Sequence, residues 1–303
     1  MNKHFLSIAD LSKEEITEMF DLAAELKAKQ KRGEHHRLLE GKTLAMIFQK
    51  PSARTRVSFE VGMFQLGGHA LYLGPNDIQL GKRESIGDMA QTLSRYVDII
   101  MARLFGHEGI LELARHASVP VVNGLTDLLH PCQVLADAFT ILEKRGTLSN
   151  LTVAYVGDGN NVANSWLNLA SKIPITLHFG IPQGYDPDEQ ILGRAKQNQE
   201  SDIQIFREPI EAVKAADVIY TDVWASMGQE AELKKRKKVF ANFQVNEELV
   251  KQANPNCMIM HCLPAHRGEE ITNEVIDGSH SIVFDEAENR LHVQKAIMVR
   301  LLT

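Results

Sequence analysis

Three groups of residues in this 303-residue chain have types and spacings that can do chemistry on small polar molecules. The first is Lys50-Pro51-Ser52-Ala53-Arg54-Thr55-Arg56, which follows a short apolar run and leads into a helical pattern towards Leu66. Backbone N–H groups at a helix start point outward with the positive end of the dipole behind them, so such a segment suits a phosphate. Ser52 and Thr55 add hydroxyl donors, and Arg54 and Arg56 add planar guanidinium forks that match phosphate oxygens. The same residues, taken alone, also fit a capped helix with two solvated arginines.

The second group joins Arg103, at the end of Met101-Ala102-Arg103, with His130-Pro131-Cys132-Gln133, which opens a helix. Acyl transfer develops negative charge on a carbonyl oxygen, and donors aimed at that oxygen are worth several kcal/mol. A histidine before proline also serves as an ordinary structural hydrogen-bonder. The third group lies in the second half, where Gly157-Asp158-Gly159-Asn160-Asn161, Asp222-Val223-Trp224-Ala225-Ser226-Met227-Gly228 and His261-Cys262-Leu263-Pro264 each follow a short apolar run. The first of these is not a dinucleotide fingerprint, because Val162 stands where the third glycine belongs, and this disfavours a nicotinamide-dependent dehydrogenase. Its asparagines offer amides for polar recognition. Asp222 at a strand end can pair with an α-ammonium group, and Gly228 permits the backbone conformations of a lid. His261, Cys262 and His266 carry metal-binding atoms, but a fourth ligand is missing and the spacing fits no standard site, so no metal is expected.

Taken in order, these segments resemble those of the aspartate/ornithine carbamoyltransferase family, and the resemblance covers essentially the whole chain. Ser52 to Arg56 is similar to the family's Ser-Thr-Arg-Thr-Arg motif, with Ala53 in place of a threonine. The resemblance implies that Ser52, Ala53, Arg54 and Thr55 bind the phosphate of carbamoyl phosphate. It implies that Arg103, His130 and Thr55 donate to the carbamoyl oxygen, that Gln133 holds the carbamoyl NH2, and that Arg290 makes a further contact. Gln79 would reach into a neighbouring subunit's site, which implies a homotrimer with active sites at subunit interfaces. Asp222 with Ser226-Met227-Gly228 resembles the signature that separates ornithine enzymes from aspartate ones. Asn161, Asp222, Ser226 and Met227 would then bind L-ornithine, and Cys262 and Leu263 would lie beside its side-chain amine and the carbamoyl group. Arg103, His130 and Cys262 are the expected catalytic residues, and no cofactor is expected. The missing hydroxyl at Ala53 is expected to alter affinity at most. The alternatives are a carbamoyltransferase for another amine, such as putrescine or an acylated ornithine, and a non-catalytic carbamoyl-phosphate-binding paralogue.

The elements that must position these residues are legible as short apolar runs alternating with longer helical patterns, the mark of parallel sheets covered by helices. Ser12 and Glu15 form a capping box before Ile16, Met19, Phe20, Ala23 and Leu26 recur at helical spacing. Strands are predicted at residues 43–48, 70–73, 99–101 and 119–122, followed by a helix over 134–144 that ends at Gly146. Beyond a boundary at 147–150, strands are predicted at 152–156, 176–179, 204–206, 218–222, 258–261 and 282–285, with a last helix over 287–301. The predicted fold is α/β, with two doubly wound parallel-sheet domains of similar size and an interdomain cleft. One domain spans 1–146, with helix 287–303 packing back on it, and the other spans 151–286. Ligands would bind where the strands end.

Bulk properties narrow the classes further. Hydrophobic residues are 44% and charged residues 24%, as in ordinary globular proteins, and the net charge of −6 argues against a general nucleic-acid binder. Cys132, Cys257 and Cys262 are too few for a disulfide framework and fit a reducing compartment. No apolar run approaches the roughly 20 residues that span a bilayer, and no secretory signal is visible, so a cytoplasmic location without membrane contact is expected. The basic run Lys234-Lys235-Arg236-Lys237-Lys238 reads as a solvated face of the loop that follows Ser226-Met227-Gly228.

Overall fold

A computed structural model of the chain describes residues 4–79, 81, 84–198, 200–225 and 232–303. Contacts divide the chain into two compact units, Met1–Phe139 with Glu288–Thr303 and Thr140–Ala287. In the first unit α1 (Lys13–Lys31) precedes β1 (Thr43–Phe48), α2 (Ala53–Gln65), β2 (His69–Leu73), α3 (Pro75–Ile78), α4 (Ile86–Leu93), β3 (Ile99–Arg103), α5 (His107–His116) and β4 (Val121–Leu125). Helix α6 (Pro131–Arg145) carries the chain into the second unit. There follow β5 (Thr152–Val156), α7 (Asn161–Ala170), β6 (Thr176–Gly180), α8 (Glu189–Gln197), β7 (Asp202–Phe206), α9 (Pro209–Val213) and β8 (Val218–Thr221). The unit is completed by α10 (Leu233–Phe240), α11 (Glu247–Val250), β9 (Met258–His261) and α12 (Asn273–Ile276), and α13 (Val283–Leu302) returns to the first.

Both sheets are parallel, with strand orders β2-β1-β3-β4 and β7-β6-β5-β8-β9. Each starts at an inner strand, winds one way, then crosses back and winds the other way. With right-handed crossovers, that reversal puts the connecting helices on opposite faces, so each sheet is doubly wound. The inner strands are accordingly buried on both faces and read as continuous apolar runs, Leu44-Ala45-Met46-Ile47-Phe48 and Val153-Ala154-Tyr155-Val156. One face of the first sheet packs Ala45, Ile47, Ile100 and Ala102 against Ala90, Ile110 and Leu113 of α4 and α5. In the second, Ala154, Val156, Ile219 and Ile259 pack against Val213, Phe240, Phe243 and Val245. Tyr155 stacks on Tyr220 at 5.6 Å, and Trp166 meets Tyr220 edge-on.

The two sheets fasten their strand starts in the same way. Asp98 precedes β3, accepts the N–H of Thr43 at 2.8 Å and pairs with Lys42. Asp217 precedes β8, accepts the N–H of Thr152 at 3.0 Å and the amide of Asn254 at 2.9 Å, and pairs with Arg145. Each carboxylate thus satisfies a strand-end donor that has no ladder partner.

Two predicted elements differ from the structure. The strand expected at 282–285 is reduced to one parallel bridge, Ile259 with Ser281, and α13 begins at Val283. Asp285 and Glu286 sit in its first turn, where carboxylates favour the helix dipole, and this outweighs the β-forming Ile282-Val283-Phe284. The basic run 234–238 is not a loop but part of α10, and its Arg236 is buried. Elsewhere β4 runs later than expected, to Leu125. Among the described residues no helix is long and apolar enough to cross a membrane.

The Asp217 brace is testable because both tryptophans, Trp166 and Trp224, lie in the second unit. Asp217→Ala is expected to lower stability by about 2 kcal/mol, from several partly exposed hydrogen bonds lost together. The measurement is denaturant unfolding followed by tryptophan fluorescence. An unmoved midpoint would show that the brace contributes nothing.

Candidate active site

The strand order of the first sheet reverses between β1 and β3, and the segments that leave their carboxyl ends carry the candidate anion-binding groups. Ser52 is the N-cap of α2, its hydroxyl accepting from Thr55 N. The N–H groups of Ala53 and Arg54 fall in the first turn, where a helix offers no internal acceptor. Thr55 is fully buried, and its hydroxyl accepts from Ser52 Oγ at 3.2 Å and from Arg290 Nη2 at 3.2 Å. Arg290, on α13, also donates through Nη1 to Gln133 Oε1 at 3.0 Å, and Gln133 in turn donates to Asp137 at 2.8 Å. Ser52, Thr55, Gln133 and Arg290 therefore form one connected set within the first unit.

His130 and Arg103 are both buried. Burial, reinforced by the positive charges of Arg290, Arg103 and Arg54, holds the His130 imidazole well below the usual histidine range. At neutral pH it is an uncharged ring among guanidinium groups, able to donate a hydrogen bond without adding a fourth positive charge. Arg56 does not join them: it pairs with Glu60 at 3.0 Å and lies over the Tyr72 ring. Gln79 is exposed, with left-handed backbone at φ 42.

The second sheet reverses between β5 and β8, and Asn160, Asn161 and Asp222 occupy the ends of those strands. Asn160 caps α7, and Asn161 is its first residue, buried. Asp222 accepts from Asn160 Nδ2 at 2.7 Å, from the N–H of Val223 at 2.8 Å and from Cys262 Sγ at 3.0 Å. Gly159 is required sterically, since a Cβ there would lie 2.3 Å from Pro187 N. That close approach accounts for the glycine spacing without any nucleotide.

Cys262 and Leu263 are carried by a turn after β9 that is held from behind. Leu263 N donates to His261 Nδ1 at 2.9 Å, so Nδ1 is the acceptor and Nε2 the donor, which bonds the buried Glu270 at 3.0 Å. Glu286 accepts the N–H of His261 at 3.0 Å. Leu263 itself has left-handed backbone, φ 55, a conformation that costs a branched residue about 1–2 kcal/mol and that these hydrogen bonds help maintain. Asp222, His261 and Cys262 place ligand-type atoms within 4.8 Å of one another, but both His261 nitrogens are engaged by protein groups. Cys132 and Cys257 are buried thiols pushed up to about 12. Ser226, Met227 and Gly228 lie outside the described residues.

Sequence reasoning missed three supports of the groups in the second unit: Glu270 behind His261, Asn160 behind Asp222, and the Asp158–Arg236 pair. Arg236 bonds Asp158 at 2.9 Å and the Trp224 carbonyl at 2.9 Å, and stacks over Tyr185. A signal existed, because on a helix Leu233, Arg236 and Phe240 share a face, and that face is the inner one.

Two doubly wound sheets, each with polar groups at its switch point, define a protein of the α/β class whose strand ends offer groups suited to small ligands. Comparisons with known proteins give the family. The profile for the carbamoyl-phosphate-binding domain of aspartate/ornithine carbamoyltransferases matches residues 3–143, and that for the Asp/Orn-binding domain matches residues 149–301. The chain is 57% identical over 303 residues to an ornithine carbamoyltransferase of Pyrococcus abyssi, covering 99% of this chain and 96% of that one. It is 54% identical to that of Syntrophotalea carbinolica over the whole of both chains. The solved structure of the Pyrococcus furiosus ornithine carbamoyltransferase superposes with a TM-score of 0.95 at 56% identity, covering 97% of this chain and 95% of that one. The chain belongs to the aspartate/ornithine carbamoyltransferase family.

The Asp158–Arg236 pair yields a pH-dependent prediction. Burial pushes the Asp158 carboxyl up to about 6, with Arg236 opposing the rise. A carboxyl whose folded pKa exceeds its unfolded value contributes stability at low pH that is lost as pH rises through the folded value. Arg236→Met removes the opposing charge and raises that value further, so its cost, about 3 kcal/mol, should be larger at pH 8 than at pH 5. Thermal unfolding at the two pH values measures this, and an equal loss at both would mean that Asp158 does not feel Arg236.

Proposed function

We propose that this protein transfers the carbamoyl group of carbamoyl phosphate to the side-chain amine of L-ornithine, giving L-citrulline and phosphate. The observation that carries the reading is the linked set Ser52–Thr55–Arg290–Gln133, with neutral His130 beside it among Arg54, Arg103 and Arg290. Such a set suits a small phosphate ester whose carbonyl needs donors. Identities of 53–57% to ornithine carbamoyltransferases support ornithine as the acceptor.

In this reading Ser52, Ala53, Arg54 and Thr55 take the phosphate, Gln133 the carbamoyl NH2, and Arg103, His130 and Thr55 the carbonyl oxygen. Ornithine is held by Asn161, Asp222, Ser226 and Met227, its α-ammonium on Asp222. Its side-chain ammonium, with a solution pKa of about 10.4 by analogy with lysine, loses a proton before it reacts. Desolvation lowers that value, and Cys262, beside Leu263, accepts or relays the proton. The amine nitrogen then bonds to the carbamoyl carbon, Arg103 and His130 stabilise the oxyanion, and the C–O bond breaks with its electron pair leaving on phosphate, which takes up the second proton that the nitrogen sheds. Orientation and electrostatics supply the acceleration, with no cofactor.

The role of such an enzyme is arginine biosynthesis in the cytoplasm. The anabolic label on a 55% identical Pyrococcus furiosus relative and three free cysteines are in keeping with that. Assembly as a homotrimer, with Gln79 serving a neighbouring copy, is supported by an apolar face: Val57, Val61 and Phe64 recur at helical spacing on α2 and are exposed, as is Leu71 on the edge strand β2.

Purified protein assayed with ornithine, putrescine, acylated ornithine and aspartate should release phosphate at a substantial rate with ornithine alone, and a preference for another amine would overturn the assignment. Arg103→Ala should lower kcat about 100- to 1000-fold with little change in thermal midpoint. An unchanged kcat removes Arg103 from the chemistry. Phe64→Glu should reduce the mass in light scattering from three chains to one and lower activity with it. A trimer retained in the variant would place the interface elsewhere.

A further inference from the structure

Asn160 performs two tasks with the two ends of one amide, and only one of them is structural. Its Oδ1 accepts from Val162 N at 2.9 Å, from Ala163 N at 3.3 Å and from the Tyr155 hydroxyl at 3.0 Å. Three donors on that atom fix which end of the amide is oxygen, because a flipped amide would set N–H against N–H. The Nδ2 end must therefore face the other way, and it donates to Asp222 Oδ2 at 2.7 Å. Serine, threonine or aspartate would cap α7 as well as asparagine does. Among capping residues, asparagine alone adds a donor aimed at a carboxylate on the far side.

That carboxylate is gripped from three segments. Asn160 follows β5 and holds Oδ2, while Val223 N after β8 and Cys262 Sγ after β9 hold Oδ1. Together they set the plane of Asp222. The Asn160 amide is itself anchored through Tyr155, which is buried and stacked on Tyr220.

We propose that Asn160 is a positioning residue for the amino-acid acceptor, orienting Asp222 towards the α-ammonium group while capping the helix that begins with Asn161. This deepens the reading of Asp222 as the ornithine α-ammonium partner and rests on it.

The test is binding of L-norvaline, an α-amino acid without a side-chain amine, measured by calorimetry in the presence of saturating carbamoyl phosphate. Asn160→Asp keeps size and capping oxygen but replaces the donor by an acceptor facing Asp222. Norvaline should bind at least about tenfold more weakly at pH 8, a factor that corresponds to 1.4 kcal/mol, while carbamoyl phosphate affinity stays within about twofold. Two carboxylates so close share a proton as pH falls, which restores a hydrogen bond between them. The defect relative to wild type should therefore shrink at pH 6. The other ionisable groups nearby, Tyr155, Asp158, His261 and Cys262, are common to both proteins, so the difference between them isolates position 160. Asn160→Ser, which caps without reaching Asp222, should show a smaller defect that does not depend on pH, and it serves if the aspartate variant does not fold. Norvaline binding within twofold of wild type in these variants, while Asp222→Asn binds weakly, would overturn the proposal alone. Unchanged binding in Asp222→Asn would overturn the reading of Asp222 beneath it. Equal weakening of norvaline and carbamoyl phosphate would mean general damage, and would also overturn the proposal.

Discussion

A parallel sheet that winds outward in both directions from an inner strand cannot cover the carboxyl ends of the two strands where winding reverses, because their connections depart to opposite faces. The polar groups at the strand ends follow from that constraint, applied twice, and His130, Gln133, Arg290 and Cys262 are added from neighbouring elements. In the first sheet it leaves the ends of β1 and β3 open, and the chain supplies Ser52 to Thr55 and Arg103 there. In the second it leaves β5 and β8 open, and the chain supplies Asn160, Asn161 and Asp222. The strands that bear these residues are the most deeply buried in each unit, which is why polar groups at their ends hold their positions.

The two sites solve opposite electrostatic problems. The first gathers arginines around one histidine, and burial keeps that histidine neutral, so positive charge is concentrated where an anion would neutralise it. The second gathers donors on a single carboxylate and stiffens the turn that brings Cys262 to it through His261 and Glu270. Polar groups in both are linked in chains of hydrogen bonds, and a linked chain resists distortion better than isolated contacts do.

Much of this was legible in the sequence. Apolar runs located the inner strands, because a strand buried on both faces must be apolar throughout, and the Ser12–Glu15 capping box lies where it was read. The segments proposed to carry the chemistry stand out by residue type and order. What escaped notice depended on distance in sequence. Glu270 is nine residues from His261 across an irregular turn, and Asp158 is 78 from Arg236, so nothing local announced either pair. Arg236 was hidden by its neighbours, since a run of five basic residues reads as solvated until helical period turns one of them inward. The strand expected at 282–285 failed because β-forming Val283 and Phe284 share a segment with acidic residues that start a helix, and local propensity is a weak guide where two elements meet.

In the proposed function the first unit gathers the groups that take the phosphate and the carbonyl of carbamoyl phosphate, Ser52 to Thr55 with Arg103, His130, Gln133 and Arg290. A crystal structure of the protein with carbamoyl phosphate bound tests this most directly. The phosphate is expected at the start of α2, on the backbone of Ala53 and Arg54 and the hydroxyls of Ser52 and Thr55, with the carbonyl oxygen facing Arg103 and His130. Carbamoyl phosphate seated anywhere else, or with its carbonyl turned away from Arg103 and His130, would contradict it.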